Sequence, residues 1–177
     1  MSGMKRLLPL ALLPLLFVAP AHGQSGLRNH DSDAPVDVAA DRIEVQDRSD
    51  RAIFSGNVQA TQGTLRMSAA RVTVAYRSGG GIDIQRLGAS GGVTLRTPAE
   101  TATSQFAIYD LDRRLVTMIG GVRLQQGANH VQGARLVLDL DSGRAVMDGG
   151  AAGAPGNAAS GGRVTGRFTV PRRAASN

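Results

Sequence analysis

The sequence predicts an all-β protein, in which bent antiparallel hairpins stack into a V-shaped sheet pair or an elongated jelly-roll. Three observations predict it. From Val36 to about Met147, apolar and polar residues alternate with period two, the pattern of half-buried antiparallel strands. Turn residues punctuate that alternation at short intervals. A glycine-centred unit recurs along the chain, the mark of stacked supersecondary units. No window of 11 or more residues carries a helical stripe.

The N-terminus lies outside this pattern. Lys5 and Arg6 precede an apolar run of 12 residues, Leu7 to Val18, and then Ala19-Pro20-Ala21 and His22-Gly23-Gln24. This reads as a secretory signal peptide over residues 1–23, cut after Ala21 or Gly23. A spanning helix needs about 20 apolar residues, so a membrane anchor is the weaker reading. Residues 24–34 are polar and without period, and are expected to form a flexible lead.

The domain proper is expected over 35–150. Leu65, Met67 and Ala69 alternate with Arg66 and Ser68, and Val72, Val74 and Tyr76 with Arg71, Thr73 and Ala75. The same holds for Ile82 and Ile84, Val93 and Leu95, Val122 and Leu124, and Leu136, Leu138 and Leu140. Asp47-Arg48-Ser49-Asp50, Gln62-Gly63, Ser78-Gly79-Gly80-Gly81, Gln126-Gly127-Ala128-Asn129 and Asp141-Ser142-Gly143 fit the loops between them. The repeated unit is Phe54-Ser55-Gly56-Asn57-Val58, Ala89-Ser90-Gly91-Gly92-Val93 and Met118-Ile119-Gly120-Gly121-Val122, with a decayed copy at Met147-Asp148-Gly149-Gly150-Ala151; the starts are 35, 29 and 29 residues apart. Glycine at one register of each repeat predicts a bulge or sharp bend, where a Cβ would clash. Residues 151–177 have linker composition followed by a basic end. Arg163 to Val170 is read as a tail in preference to a last edge strand.

Composition removes several function classes. The chain has no cysteine, so neither disulfides nor thiol catalysis nor the usual structural zinc sites are available to it. The net charge of +6 is an end effect: between Val36 and Asp148 stand 13 Arg and 12 acidic residues, while Arg163, Arg167, Arg172 and Arg173 make the end basic. Aromatics are 3% and Trp is absent, which argues against nucleic acid as a partner. No cofactor or metal is expected.

The residues then resemble a known family. Val38-Ala39-Ala40-Asp41-Arg42-Ile43-Glu44-Val45 followed by Ala52-Ile53-Phe54-Ser55-Gly56-Asn57-Val58, behind a signal peptide, resembles the OstA-like domain of lipopolysaccharide transport proteins. Later copies around Gly120-Gly121-Val122 and Val131-Gln132-Gly133-Ala134-Arg135-Leu136 fit the same pattern, so the resemblance covers roughly 35–150. It departs at Gly92 and Gly121, where the usual Asn is seen here only as Asn57, and in the Gly-rich C-terminal extension.

The resemblance implies an open jelly-roll in the periplasm whose apolar interior holds the acyl chains of lipopolysaccharide (lipid A). It also implies head-to-tail pairing with related folds, bridging LptC-like inner-membrane and LptD-like outer-membrane components. A twelve-carbon chain carries roughly 10 kcal/mol of transfer free energy at about 0.8 kcal/mol per methylene, so it needs an apolar cover across water. The inner-face candidates are Ile43 and Val45; Phe54; Leu65, Met67, Val72 and Val74; Ile84 and Leu95; Phe106 and Ile108; Leu124; and Leu136 and Leu138. Ordinary core packing explains the same side chains equally well. The chain carries no nucleotide-binding motif, so any energy for transfer is expected from a partner.

Other readings are weaker. Of the histidines, His22 lies at the cleavage site, His30 in the lead and His130 beside Asn129 in an expected turn, so catalysis has little to stand on. Asp110-Leu111-Asp112 and Asp139-Leu140-Asp141 stand where strands enter turns, as Asp commonly does. A structural β-solenoid without a lipid ligand remains the main alternative. A sister role in the same transport system would require a retained N-terminal anchor.

Overall fold

The computed structural model describes residues 30–79, 81–150 and 162–169. The expected signal peptide, most of the lead and much of the extension lie outside the described residues. The elements are β1 (Val36–Ala39), β2 (Arg42–Gln46), a single 3-10 turn (Asp47–Ser49), β3 (Arg51–Gln62), β4 (Leu65–Ser78), β5 (Ile82–Arg96), β6 (Thr101–Asp110), β7 (Leu115–Gln126), β8 (Asn129–Asp139), β9 (Arg144–Asp148) and β10 (Thr165–Arg167). They form one antiparallel sheet in the order β1-β3-β4-β5-β6-β7-β8-β10, with β2 on β3 and β9 on β8. No helix among the described residues is long and apolar enough to cross a membrane.

The sheet folds over on itself along the line of repeated glycines. Gly56 and Asn57, Gly91 and Gly92, and Gly120 and Gly121 all have positive φ. The pairing register shifts at each of these pairs, between Ser55 and Val58, Ser90 and Val93, and Ile119 and Val122. In each case the glycine strand spends one residue more than its following neighbour, which is a β-bulge. The bend thus divides each long strand into two halves. One limb holds β2, β9 and the halves of β3–β8 nearest them. The other holds β1, β10 and the remaining halves.

The non-glycine strands show the bend as a change of phase. Leu65, Met67 and Ala69 are buried, then Val72 and Val74; Ala102 and Ser104, then Ala107 and Tyr109. Two successive residues face outward at the corner in each: Ala70-Arg71 and Gln105-Phe106. One continuous strand can therefore put both of its halves against a single core between the limbs. That core includes Val58, Leu87, Val93, Val116, Met118, Val122, Leu136 and Leu138, each at 1–2% exposure or less. Each such side chain contributes roughly 1.5–3 kcal/mol by leaving water.

One expectation about the ends needs correction. The extension was read as a tail, yet Thr165–Arg167 pair antiparallel with Gln132, Val131 and His130 of β8. Of the expected lead, residues 30–34 are joined to the domain by hydrogen bonds with the Gln62 side chain. In both cases the anchoring groups lie far away in the sequence.

Candidate functional site

The inner surface of the limb bearing β2 consists of two cross-strand rows. One runs Ile43, Phe54, Val72, Ala89, Ala107, Met118, Leu136, Met147. The other runs Val45, Ala52, Val74, Leu87, Tyr109, Val116, Leu138, Ala145. Residues directly opposite each other share a face, so each row is a continuous ridge of side chains. On the other limb a third row runs Val38, Ala60, Met67, Leu95, Ala102, Leu124, Val131 and ends on Gly166. The facing rows enclose an aliphatic interior.

The two ends of this interior differ. At the β2 end, Ile43 and Val45 sit on the inner side but are 56% and 57% exposed. They belong to the core by register and to the solvent by position. At the β9 end, Met147 lies across the backbone of Gly133, where an added Cβ would meet its Cγ at 2.7 Å. Glycine there makes room for the methionine, which packs partly buried against the core at that end.

The free rims of the limbs are tied together at their middle. Gln62, 4% exposed, is the hub. Its Nε2 donates to the carbonyls of Ser32 at 2.8 Å and Ala34 at 3.0 Å. Its Oε1 accepts from the Tyr109 hydroxyl of the opposite limb at 2.7 Å, and His30 Nε2 lies 3.2 Å away. Burial pushes the Tyr109 phenol above its ordinary range, so it stays a neutral donor. Arg114, in the β6–β7 turn, pairs with both Asp33 and Asp141 at 2.8 and 3.0 Å. Residues 30–34 therefore span the gap between the rims. Gln62→Leu leaves Tyr109 and two carbonyls without their partner, and a loss of about 2 kcal/mol is expected in urea unfolding.

The space left inside is small. A cavity of about 20 Å³ lies among Val36, Ala60, Gln62, Leu65, Met67, Leu87, Leu95, Tyr109 and Val116. That is room for about one water.

Of the predicted inner-face residues, Leu65, Met67, Val72, Val74, Leu95, Leu136 and Leu138 are buried. Phe54, Ile84 and Leu124 are partly buried against that core. Ile43 and Val45 are at the open end. Phe106 and Ile108 stand on the outer face, 50% and 41% exposed, beside Ile119. The phase change in β6 reverses them, and Ala107 and Tyr109 point inward instead. Sequence reasoning missed Gln62, Ala107 and Tyr109 because none is strongly apolar. The inward phase set by Ala102 and Ser104 does not carry across the corner, so only the repeat itself could have signalled the reversal.

The aspartates flagged at strand ends are turn residues. Asp110 Oδ1 accepts from Arg113 N, and Asp139 Oδ1 from the backbone N–H groups of Asp141 and Ser142. The hydrogen bonds from Ser142 hold the Asp139 carboxyl below its ordinary range. Among the described residues no three His, Asp or Glu side chains gather as a metal site would require.

Comparison with known proteins agrees with this architecture. The crystal structure of LptH from Pseudomonas aeruginosa, described as the LptA homologous periplasmic component of the lipopolysaccharide transport device, superposes with a TM-score of 0.68. It is 19% identical and covers 80% of this chain and 99% of that one. The likeness shows the fold. An uncharacterised protein of Rhizobium meliloti (strain 1021) is 34% identical over 93 residues, and the match spans 49% of this chain and 50% of that relative. The model of the family described as LptA/(LptD N-terminal domain) LPS transport protein matches residues 37–144. That span takes in most of β1, all of β2 to β8 and all three glycine bends. The family and fold are those of a transport and binding protein, and the chain belongs to the LptA/LptD N-terminal domain family of lipopolysaccharide transport proteins.

Proposed function

We propose that this chain is an exported, periplasmic carrier that shields the acyl chains of lipopolysaccharide and passes the lipid toward the outer membrane. The observation that carries the reading is the inner apolar face, which runs unbroken from the packed core out to uncovered Ile43 and Val45. A hydrocarbon chain laid on those residues extends the core instead of starting a new contact. Because the interior is filled, deeper entry requires the limbs to part, and the tie through Gln62, Tyr109 and Arg114 sets how readily they do. The family supports LptC-like and LptD-like proteins as the donor and acceptor, with end-to-end strand pairing as the means of bridging. An open sheet offers the unpaired backbone edges that such pairing needs.

The nearly filled interior is the one feature that favours a purely structural role, and a crosslinking experiment separates the two. A photoreactive side chain is placed at Ile43 and, in a second strain, at Phe106. Both positions are apolar and about half exposed, but they lie on opposite faces. Lipopolysaccharide adducts at Ile43 and none at Phe106 are the expected result. Equal labelling at both, or none at Ile43 in folded and exported protein, would sink the carrier reading.

A further inference from the structure

The two limbs carry their charge differently. All five ion pairs among the described residues use arginines of the limb that bears β2: Arg77, Arg86, Arg135 and Arg114, which pairs twice. On the limb that bears β1, the outward row next to the rim runs Thr61, Arg66, Arg96, Thr101, Gln125, His130. Arg66 and Arg96 stand directly opposite each other on β4 and β5, and both are exposed. Like charges so placed destabilise a strand pair.

The carboxylates closest to this pair are engaged elsewhere or lie too far away. Glu100, in the β5–β6 turn, accepts from Gln126 Nε2 at 3.3 Å, and burial pushes its carboxyl above the ordinary range. Asp31, beside Gly63, accepts from Asp33 N at 3.0 Å. Asp37 lies on the edge strand, two strands from Arg66. None of the three forms an ion pair with either arginine.

The position of the pair suits an anion brought by a ligand. Arg66 is the second residue after the β3–β4 turn and Arg96 the last of β5, so both stand at the free rim, beside the seam that Gln62 and residues 30–34 tie. The facing rim carries Asp110, Asp112, Asp139 and Asp141 in and beside its turns, and its Arg86 and Arg114 are already paired with two of them. A lipid whose acyl chains lie between the limbs must leave its saccharide in water outside the seam. In lipopolysaccharide the sugars that bear the acyl chains also bear phosphate, so an anion reaches the rim with the chains. Guanidinium groups present paired donors that match phosphate oxygens. Two of them on adjacent strands, about 5 Å apart, converge on one phosphate.

We propose that Arg66 and Arg96 form a phosphate-binding subsite for the headgroup of the carried lipid, and that the headgroup lies over the rim of the limb bearing β1. This rests on the carrier reading above and adds the place and orientation of the head.

The test measures binding of lipopolysaccharide, and of the same lipid stripped of phosphate, to the full exported chain. Arg66→Gln with Arg96→Gln is compared with Arg42→Gln with Arg71→Gln, which removes the same charge near the bend. The unaltered chain should prefer the phosphorylated lipid by about tenfold, the worth of one charge-assisted hydrogen bond. The rim variant should lose that preference and bind stripped lipid as before, while the bend variant keeps it. Its urea midpoint should hold or rise, since a like-charge contact is relieved; a fall would assign the two arginines to the fold. Equal losses in both variants would mean that net charge, not a subsite, attracts the lipid. Vesicles of phosphatidylglycerol bound through the same two arginines would assign the face to a membrane surface instead. A photoreactive side chain at Ile43 reports the acyl chains separately. Adducts there with no preference for phosphate sink the subsite and leave the carrier; no adducts with either lipid sink both.

Discussion

Leu136→Ala is expected to lower the free energy of unfolding by about 4 kcal/mol, near the top of the range for a buried leucine. Leu136 is fully buried and stands between Met118 and Met147 in one inner row. Its neighbours belong to β7 and β9, which are held in register by their own ladders, so they have little freedom to close the space. Ile43→Ala removes a side chain of similar volume from the same row, but at the open end. Its expected cost is below about 1 kcal/mol, because most of its surface is already in water. Urea midpoints of the two variants measure the contrast. Similar losses at both positions would mean that the β2 end is covered in solution.

The second large effect lies at the bend. Gly91→Ala places a side chain at φ +83, and its Cβ would stand 2.6 Å from the Cβ of Ala70. The positive φ costs a residue with a Cβ of order 1–3 kcal/mol, and crowding against the adjacent strand adds to it. A total near 3 kcal/mol is expected. Gly92→Ala shares the positive φ, at +84, but nothing lies within 4 Å. It should cost only about 1 kcal/mol. Asn57 already occupies the equivalent place after Gly56 with φ 45, so Gly121→Asn is expected to be nearly neutral. Thermal unfolding of the set ranks them, and equal losses for Gly91→Ala and Gly92→Ala would show that close approach at the corner is unimportant.

The glycine units also show how far the sequence could be read. Their period announced the bends, because a residue that must take positive φ or admit a close neighbour is written as glycine wherever the fold repeats. The alternation of Leu65, Met67 and Ala69 followed by Val72, Val74 and Tyr76 even recorded the change of phase within β4. What it did not record is that both runs belong to one strand. In β6 the same change occurs among Ser104, Gln105, Phe106 and Ala107, where apolarity and direction disagree. Phe106 and Ile108 were therefore expected inside and lie outside. Their apolar character made them look like core, while the place beside Met118 in the inner row is held by Ala107.

Local chemistry determined the all-β class, the turns, the bends and most of the core of this protein, because strand alternation and turn preference act between residues close in the chain. The rim tie through Gln62 and Tyr109, the anchoring of residues 30–34, the packing of Met147 over Gly133 and the docking of β10 on β8 were decided only by the tertiary structure. Each joins groups tens of residues apart that do not reveal the pairing on their own. The openness of the β2 end belongs with them. Ile43 and Val45 read as core in the sequence, and only their place on the last strand of the folded sheet leaves them uncovered.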